Sequence, residues 1–87
     1  MERTLVIDIH FPSCKRKNIT SESFEEALRD EFKNESYGVK FNFTSEGSGF
    51  FDYGHSYIGY PSGASNEERD GIDKRIMSTF ADLTGNK

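Results

Sequence analysis

The chain has 87 residues and a formal net charge of −4; 33% of its residues are hydrophobic and 30% are charged. This length predicts one domain, residues 1–87, with a small core built on eight phenylalanines and four tyrosines. The acidic balance disfavours a ligand held mainly through a phosphate backbone, because such binding depends on a basic face. The single cysteine excludes an intramolecular disulfide bond and a cysteine-based zinc site.

The first apolar run, residues 4–11, is too short to span a bilayer and lacks the pattern of a signal peptide. We therefore expect a cytoplasmic protein with no membrane partner. Cys14 lies directly before Lys15, Arg16 and Lys17, whose charges would lower the pKa of a neighbouring thiol. A surface thiol without a chemical role is the simpler expectation.

The first predicted element is a half-buried strand over residues 4–11. Apolar and polar residues alternate there, as in a strand with one face on the core. Pro12 is expected to end the strand, so that residues 13–18 form a polar loop. The alternation assigns Leu5, Ile7, Ile9 and Phe11 to the core face and Val6, Asp8 and His10 to the opposite face.

The next predicted element is an amphipathic helix that begins near Ser23. Ser23 and Glu26 have the spacing of a capping box, in which each side chain bonds to the backbone of the other residue. Apolar residues then recur every three or four positions and form one stripe. The outer face is acidic, and complementary charge there would steer a basic partner. The stripe contains Phe24, Ala27, Leu28 and Phe32, and the candidate steering residues are Glu25, Glu26 and Asp30.

Two further strands are predicted, over residues 37–44 and within the glycine- and tyrosine-rich stretch 45–63. The glycines of this stretch lack the spacing of a phosphate-binding loop. We expect a turn at 46–49 and a bulge at Gly54 that shifts the alternation by one residue. The pattern assigns Val39, Phe41, Phe43, Phe51, Tyr53, Ser56, Ile58 and Tyr60 to the core face, and Phe50, Asp52, His55 and Tyr57 to the open face.

The last predicted element is a second helix, which Ser65 and Glu68 cap at its start and Gly85 at its end. The order β-α-β-β-α predicts an α+β two-layer sandwich, with both helices on one face of a small mixed or antiparallel sheet. A right-handed crossover would make the first two strands parallel, with the third between them or at an edge. This is a ferredoxin-like variant without the last strand.

Residues 46–53, EGSGFFDY, resemble the third-strand motif of the RNA-recognition motif family, whose element order the chain shares except for the last strand. The resemblance implies binding of single-stranded RNA, with Phe50 stacked on a base. Glu46 stands where the family has a basic residue, and Ser48 stands where it has a stacking ring. The matching positions are Gly47, Gly49, Phe50, Phe51 and Tyr53, and the cations available for phosphate are Lys40, Lys15, Arg16 and Lys17.

The open face of the sheet is the main candidate for function, and its residues allow two interpretations. His10, His55, Asp8 and Asp52 are residue types that bind metals or act as general bases, but no metal-binding spacing of histidines accompanies them. We therefore predict no metal, no cofactor and no catalytic residue. Exposed aromatic residues instead favour a protein interface.

The sequence thus predicts a non-enzymatic, small acidic module that binds another protein as an inhibitor or adaptor. A basic or nucleic-acid-handling partner suits its charge, as for small acidic domains of phages or mobile elements. A degenerate RNA-recognition-like domain is the alternative, and strand addition would allow a homodimer. The candidate aromatic contacts are Phe50, Tyr53, Tyr57 and Tyr60.

Overall fold

Three strands and three helices make up the part of the chain that the computed structural model describes, residues 3–45 and 53–85. They confirm the prediction of a small α+β fold with a mixed three-stranded sheet. The predicted order β-α-β-β-α is corrected to β-α-α-β-β-α, because an additional short helix follows the first strand. The elements are β1 (Thr4–His10), α1 (Phe11–Arg16), α2 (Ser21–Glu31), β2 (Gly38–Thr44), β3 (His55–Gly59) and α3 (Asn66–Thr84).

Helix α1 forms where the sequence predicts a polar loop. Pro12 lies in its first turn, where a missing N–H costs no helical hydrogen bond and the fixed φ of proline suits a helix. Proline therefore helps to begin a helix as well as ending a strand. Lys15 and Arg16 lie in the last turn, at the negative end of the helix dipole.

The sheet has the order β2-β1-β3, with β1 in the centre. β1 pairs in parallel with β2, as the crossover rule predicts, and antiparallel with β3. The direct β1–β2 pairing differs from a ferredoxin-like sheet, in which another strand separates the two. Residues 11–37 provide a crossover long enough to return the chain beside β1. β3 is therefore an edge strand of the sheet that the structure describes.

The irregularity in the third strand lies later than predicted. Gly54 precedes β3 with φ +76°, and the register shifts between the pairs Asp8–Tyr57 and Ile9–His55. Ser56 is the extra residue of the bulge. The left-handed turn at Gly54 directs the chain into the sheet, and the bulge then sets the alternation that leaves Tyr57 exposed.

One hydrophobic cluster lies between β1 and the helices α2 and α3. Leu5, Ile7 and Ile9 are fully buried on one face of β1, as predicted. Phe24 of α2 and Phe80 of α3 meet edge to face in this cluster, with 5.1 Å between ring centroids. The other buried members are Cys14, Leu28, Phe32, Tyr37, Ile72 and Ile76.

The predicted alternation is wrong at the end of β1. His10 is fully buried and its Nδ1 lies 2.7 Å from Ser13 Oγ, whereas Phe11 is 45% exposed. The reason is that α1 begins at Phe11, so the period changes from two residues to 3.6. Phe43, also assigned to the core, is 40% exposed and stacks on Phe11 with 5.5 Å between ring centroids.

Ser65 and Gly85 cap α3 as predicted, whereas the side chain of Glu68 pairs with Arg3; the cap of α2 differs from the prediction. Thr20 caps α2, because its Oγ1 accepts the Ser23 N–H at 3.0 Å; Ser23 already lies in the first turn. Ser65 Oγ accepts the Glu68 N–H at 3.1 Å, and Gly85 ends α3 with φ +69°. Within residues 3–45 and 53–85, no helix has the length and apolar character needed to cross a bilayer.

Candidate functional site

The tyrosines of β3 and its flanks surround one shallow depression between β3 and α3, with a volume of about 490 Å³. We call this the tyrosine depression. It gathers three of the four aromatic residues that the sequence singles out, while Phe50 lies outside the described residues. The walls are formed mainly by Tyr53, His55, Tyr57, Tyr60, Asp73 and Met77.

Tyr57 is the most exposed large ring of the described chain, with 58% of its surface accessible. It lies opposite Asp8 on β1, on the face that the helices leave open. Its ring leans along the strand over Gly59, where a Cβ would lie 3.3 Å from Tyr57 Cε2. The absence of a side chain at Gly59 therefore leaves room for the Tyr57 ring beside the strand.

Tyr60 forms a fixed wall of the tyrosine depression. Its hydroxyl donates a hydrogen bond to Asp73 Oδ1 at 2.5 Å, and the Arg69 guanidinium lies 5.4 Å from its ring centroid. Burial of the ring, followed by the hydrogen bond and charge of Asp73, raises the pKa of Tyr60 to about 12. Tyr60 is therefore protonated and held in one orientation at neutral pH.

Replacing Tyr60 with phenylalanine is expected to lower the free energy of unfolding by about 1–2 kcal/mol, because the hydrogen bond that the Tyr60 hydroxyl donates to the Asp73 carboxylate is lost. The pKa of Tyr60 is higher in the folded protein than in the unfolded chain. The stability that this difference provides is complete below pH 10, near the unfolded pKa, and is lost as the pH rises to about 12, the folded pKa. Urea unfolding should therefore show a smaller alkaline loss of stability in Tyr60→Phe than in the wild type. Tyr57→Phe, at an exposed ring, is the control; an equal alkaline loss in wild type and Tyr60→Phe would contradict this assignment.

The start of the site is set by the turn at Gly54. The His10 N–H donates to the Gly54 carbonyl at 2.9 Å, which ties the turn to the end of β1. Tyr53, assigned to the core from the sequence, is 40% exposed because it precedes this turn and not a continuous strand. The Nδ1–H of His55 donates to the Tyr53 carbonyl at 3.3 Å, while burial lowers the pKa of His55 and keeps it neutral at pH 7.

The acidic candidates lie on α2 and do not line the tyrosine depression. Glu25 accepts a hydrogen bond from Arg29 at 2.7 Å, and Asp30 accepts one from Lys33 at 2.9 Å. Glu26 is exposed. The first pair lies within α2 and the second joins α2 to Lys33, just past its C-cap; both are at the surface, so part of the predicted steering charge is neutralised locally.

The nucleic-acid candidates are distributed over two elements. Lys40 lies on β2 opposite Val6, on the open face of the sheet, whereas Lys15, Arg16 and Lys17 lie at the end of α1. The ring expected to stack, Phe50, and the rest of the motif-like residues 46–52 lie outside the described residues.

The residues considered for metal binding or catalysis do not form one cluster. His10 is buried against Ser13, while Asp8 accepts a hydrogen bond from Asn42 Nδ2 at 3.1 Å; Asp52 lies outside the described residues. In the chain from 3 to 45 and from 53 to 85, no three histidine, cysteine or acidic side chains are placed to hold a metal ion.

Cys14 is buried, contrary to the expected surface thiol. Its burial raises the pKa of the thiol to about 11, despite the basic residues that follow it in sequence. The side chain of Cys14 lies where α1 packs on the core, with its Sγ 3.8 Å from the Gly54 carbonyl oxygen. The basic residues 15–17 are exposed. A buried, protonated thiol is a poor nucleophile.

Sequence reasoning did not identify Asp73 and Met77 as part of the site. They lie four residues apart, so they share one face of α3 beside the buried stripe that contains Ile72, Ile76 and Phe80. The spacing of four residues could have indicated that the two side chains share a helix face. Only the position of β3 in the fold shows that this face borders the tyrosines. No protein-family model, curated protein or solved structure matches the chain.

Proposed function

We propose that this protein is a non-enzymatic, cytoplasmic binding module that docks on another protein through the tyrosine depression, as an inhibitor or adaptor. The observation that carries the proposal is the convergence of Tyr53, Tyr57 and Tyr60 on one depression between β3 and α3. Tyrosines supply large contact areas and lose little rotamer freedom on binding, which is why they are enriched at interface hot spots.

The walls of the depression support binding because they are already held in place. Tyr60 is fixed by Asp73, and Tyr57 lies against Gly59. Binding of a partner therefore costs little conformational entropy, because these side chains are already ordered. Met77 adds an adaptable apolar wall that can adjust to the shape of a partner residue.

The charge of the site favours a basic partner. Asp73 provides a carboxylate at the rim, and the neutral His55 does not offset it. The chain carries a net charge of −4, which would steer a basic protein toward it. A nucleic-acid-handling protein has this chemistry on its working surface, and the module would act there as an inhibitor or adaptor.

Replacing Tyr57 with alanine is expected to weaken partner binding about 30-fold, because removing a central aromatic anchor costs about 2 kcal/mol or more. Tagged wild-type and variant proteins would be used to recover partners from the cells that produce the protein, and the affinity of the recovered partner would then be measured. Tyr57 is exposed, so the variant should keep the wild-type unfolding midpoint.

Glu22→Ala, at an exposed position on α2, is the matched control and should bind like the wild type. Equal affinity of the partner for Tyr57→Ala, Glu22→Ala and wild type would overturn the proposal for this surface. A partner that loses affinity equally for both variants would place the contact elsewhere.

The alternative function is binding of single-stranded RNA, favoured by one observation: Lys40 and Tyr57 lie on the same open face of the sheet. Sequence-tolerant binding would then combine stacking on Tyr57 with a phosphate contact by Lys40. Oligonucleotide binding that persists as salt rises, and that Tyr57→Ala abolishes, would favour this alternative over protein docking. The position of β3 at the edge of the described sheet also allows a homodimer by strand addition, which the sedimentation of the wild-type protein would reveal.

A further inference from the structure

A second apolar surface lies around Phe11 and Phe43, on elements that do not line the tyrosine depression. The two rings are stacked with an interplanar angle of 22°, yet Phe11 is 45% exposed and Phe43 is 40% exposed. Each ring holds the other in position, and the pair keeps a fixed apolar surface in water. Exposed apolar area marks an interaction site where it is contiguous, as in these two stacked rings, more than where it is scattered over single side chains.

A groove of about 510 Å³ lies next to this ring pair, between α1 and the start of α2. We call it the α1–α2 groove. Phe11, Pro12 and Ile19 make it mainly apolar, and Lys15 stands at its rim as an exposed cation. Its remaining lining residues are Thr20 and Ser21.

The backbone around the α1–α2 groove is well fixed. The Ile19 N–H donates to the Cys14 carbonyl at 3.2 Å, and Thr20 caps α2 through the Ser23 N–H. Pro12 restricts the first turn of α1. The groove is therefore preformed, which lowers the entropic cost of filling it.

The charge on the groove lining is opposite in sign to the net charge of the chain. Among the described lining residues Lys15 alone is charged, whereas the chain has a net charge of −4; Glu22, in the first turn of α2, follows the lining residue Ser21. Lys15 and Lys17 are exposed. A ligand for this groove therefore needs an apolar group for the cavity and a negative charge for its rim.

We propose that the α1–α2 groove binds an acidic peptide segment of another protein, with one large apolar side chain beside Phe11 and a carboxylate near Lys15. This partner differs from the basic partner proposed for the tyrosine depression, so the two surfaces would let one small module connect two proteins of opposite charge. The inference does not depend on the tyrosine depression.

A peptide fits this groove better than a nucleic acid does. A phosphate backbone carries a charge at every nucleotide and would extend past α2, where residues 21–35 have a net charge of −4. A short peptide needs negative charge only beside its apolar anchor. The two phenylalanine rings also stack on each other, which leaves one face fewer for bases.

The test uses the full-length protein and a short synthetic peptide with one phenylalanine flanked by aspartates. Amide chemical shifts measured by NMR should change at Lys15, Ile19 and Thr20 and stay constant at Asp73. The same peptide with asparagines in place of aspartates should bind about fivefold more weakly, because an exposed charge pair contributes about 1 kcal/mol at most.

Lys15→Glu should weaken binding of the aspartate peptide at least fivefold and should prefer a peptide with lysines in place of the aspartates. Lys74→Glu makes the same charge change on α3 and should bind the aspartate peptide like the wild type. Phe11→Ala should weaken binding about tenfold while keeping a cooperative unfolding transition, since Phe11 lies at the surface.

Three results would overturn the inference. The first is an absence of shift changes at residues 11–21 with millimolar aspartate peptide. The second is equal binding of the aspartate and asparagine peptides. The third is an oligothymidylate that shifts the same amides at lower concentration than the peptide, which would assign the groove to nucleic acid.

Discussion

Replacing Gly54 with alanine should lower the free energy of unfolding by about 2–5 kcal/mol. The backbone there has φ +76°, a conformation that costs a residue with a Cβ about 1–2 kcal/mol. The new Cβ would also lie 2.4 Å from Phe80 Cε1 and 2.8 Å from Phe80 Cδ1, and relieving such overpacking costs about 1–3 kcal/mol.

The surroundings of Gly54 leave little room for the ring to move away. Phe80 is 2% exposed and rests edge to face on Phe24, which is fully buried and would itself lie 3.1 Å from the new Cβ. The Gly54 carbonyl accepts the His10 N–H, so the backbone of the turn is also tied to the end of β1. The added methyl group therefore meets resistance from both the core and the sheet.

Urea unfolding of the variant measures this effect, and Gly63→Ala is a matched control. Gly63 has the same φ of +76°, but a Cβ there would meet no atom of residues 3–45 and 53–85 within 4 Å. Gly63→Ala should therefore lose only the backbone contribution of about 1–2 kcal/mol. Gly71→Ala, in the interior of α3 with open space around it, should stabilise the protein by about 0.5–1 kcal/mol. Equal losses for Gly54→Ala and Gly63→Ala would show that contact with Phe80 is not responsible.

The turn at Gly54 also links the core to the candidate site. Tyr53 and His55 lie directly beside it, and both line the tyrosine depression. A variant that shifts this turn would move two walls of the site without changing any residue that contacts a partner. Loss of binding in Gly54→Ala would therefore come from displacement of Tyr53 and His55. Loss of binding in Tyr57→Ala would come from removal of a contact residue.

Periodicity was sufficient to predict the parts of the fold that repeat regularly. The alternation of Leu5, Ile7 and Ile9 identified the buried face of β1, because one face of that strand meets the helices along its length. The N-cap Ser65 and the C-cap Gly85 of α3 followed from the same type of local rule. The exposure of Tyr57 was also predicted correctly, although the bulge responsible lies at Ser56 and not at Gly54.

The predictions are wrong where one secondary-structure element ends and the next begins, because a periodic pattern holds only within one element. Pro12 is compatible with both a loop and the first turn of a helix, and only packing of Ser13 and Cys14 against the rest of the protein decides between them. The same change of element buries His10 and exposes Phe11. The two surfaces proposed for binding also depend on pairs from distant parts of the chain, such as Tyr60 with Asp73 and Phe11 with Phe43, which no single-sequence pattern specifies.

Replacing Phe80 with alanine should lower the free energy of unfolding by about 3–5 kcal/mol. The ring is buried between Phe24 and the turn at Gly54, so its removal loses transfer energy and leaves a cavity that its neighbours fill only in part. Thermal unfolding should show a decrease of about 4–8 °C in Tm for each kcal/mol lost, since the chain is short. Met77→Ala, on the partly exposed side of α3, is the control and should lose much less. A small loss for Phe80→Ala would mean that the core closes around the vacancy.

The contact between these two positions can be tested directly with Phe80→Leu, a milder change that keeps the protein folded. Leucine lacks the ring atom Cε1, the one closest to a Cβ at position 54. Gly54→Ala should therefore cost less in the Phe80→Leu background than in the wild type, with an interaction energy of about 0.5–3 kcal/mol in a double-mutant cycle. Gly63→Ala combined with Phe80→Leu should be additive within about 0.5 kcal/mol, because a Cβ at position 63 would lie more than 4 Å from Phe80. If Gly54→Ala proved equally additive, the requirement for glycine at this turn would come from its backbone conformation alone, and the aromatic core would not set the position of the tyrosine depression.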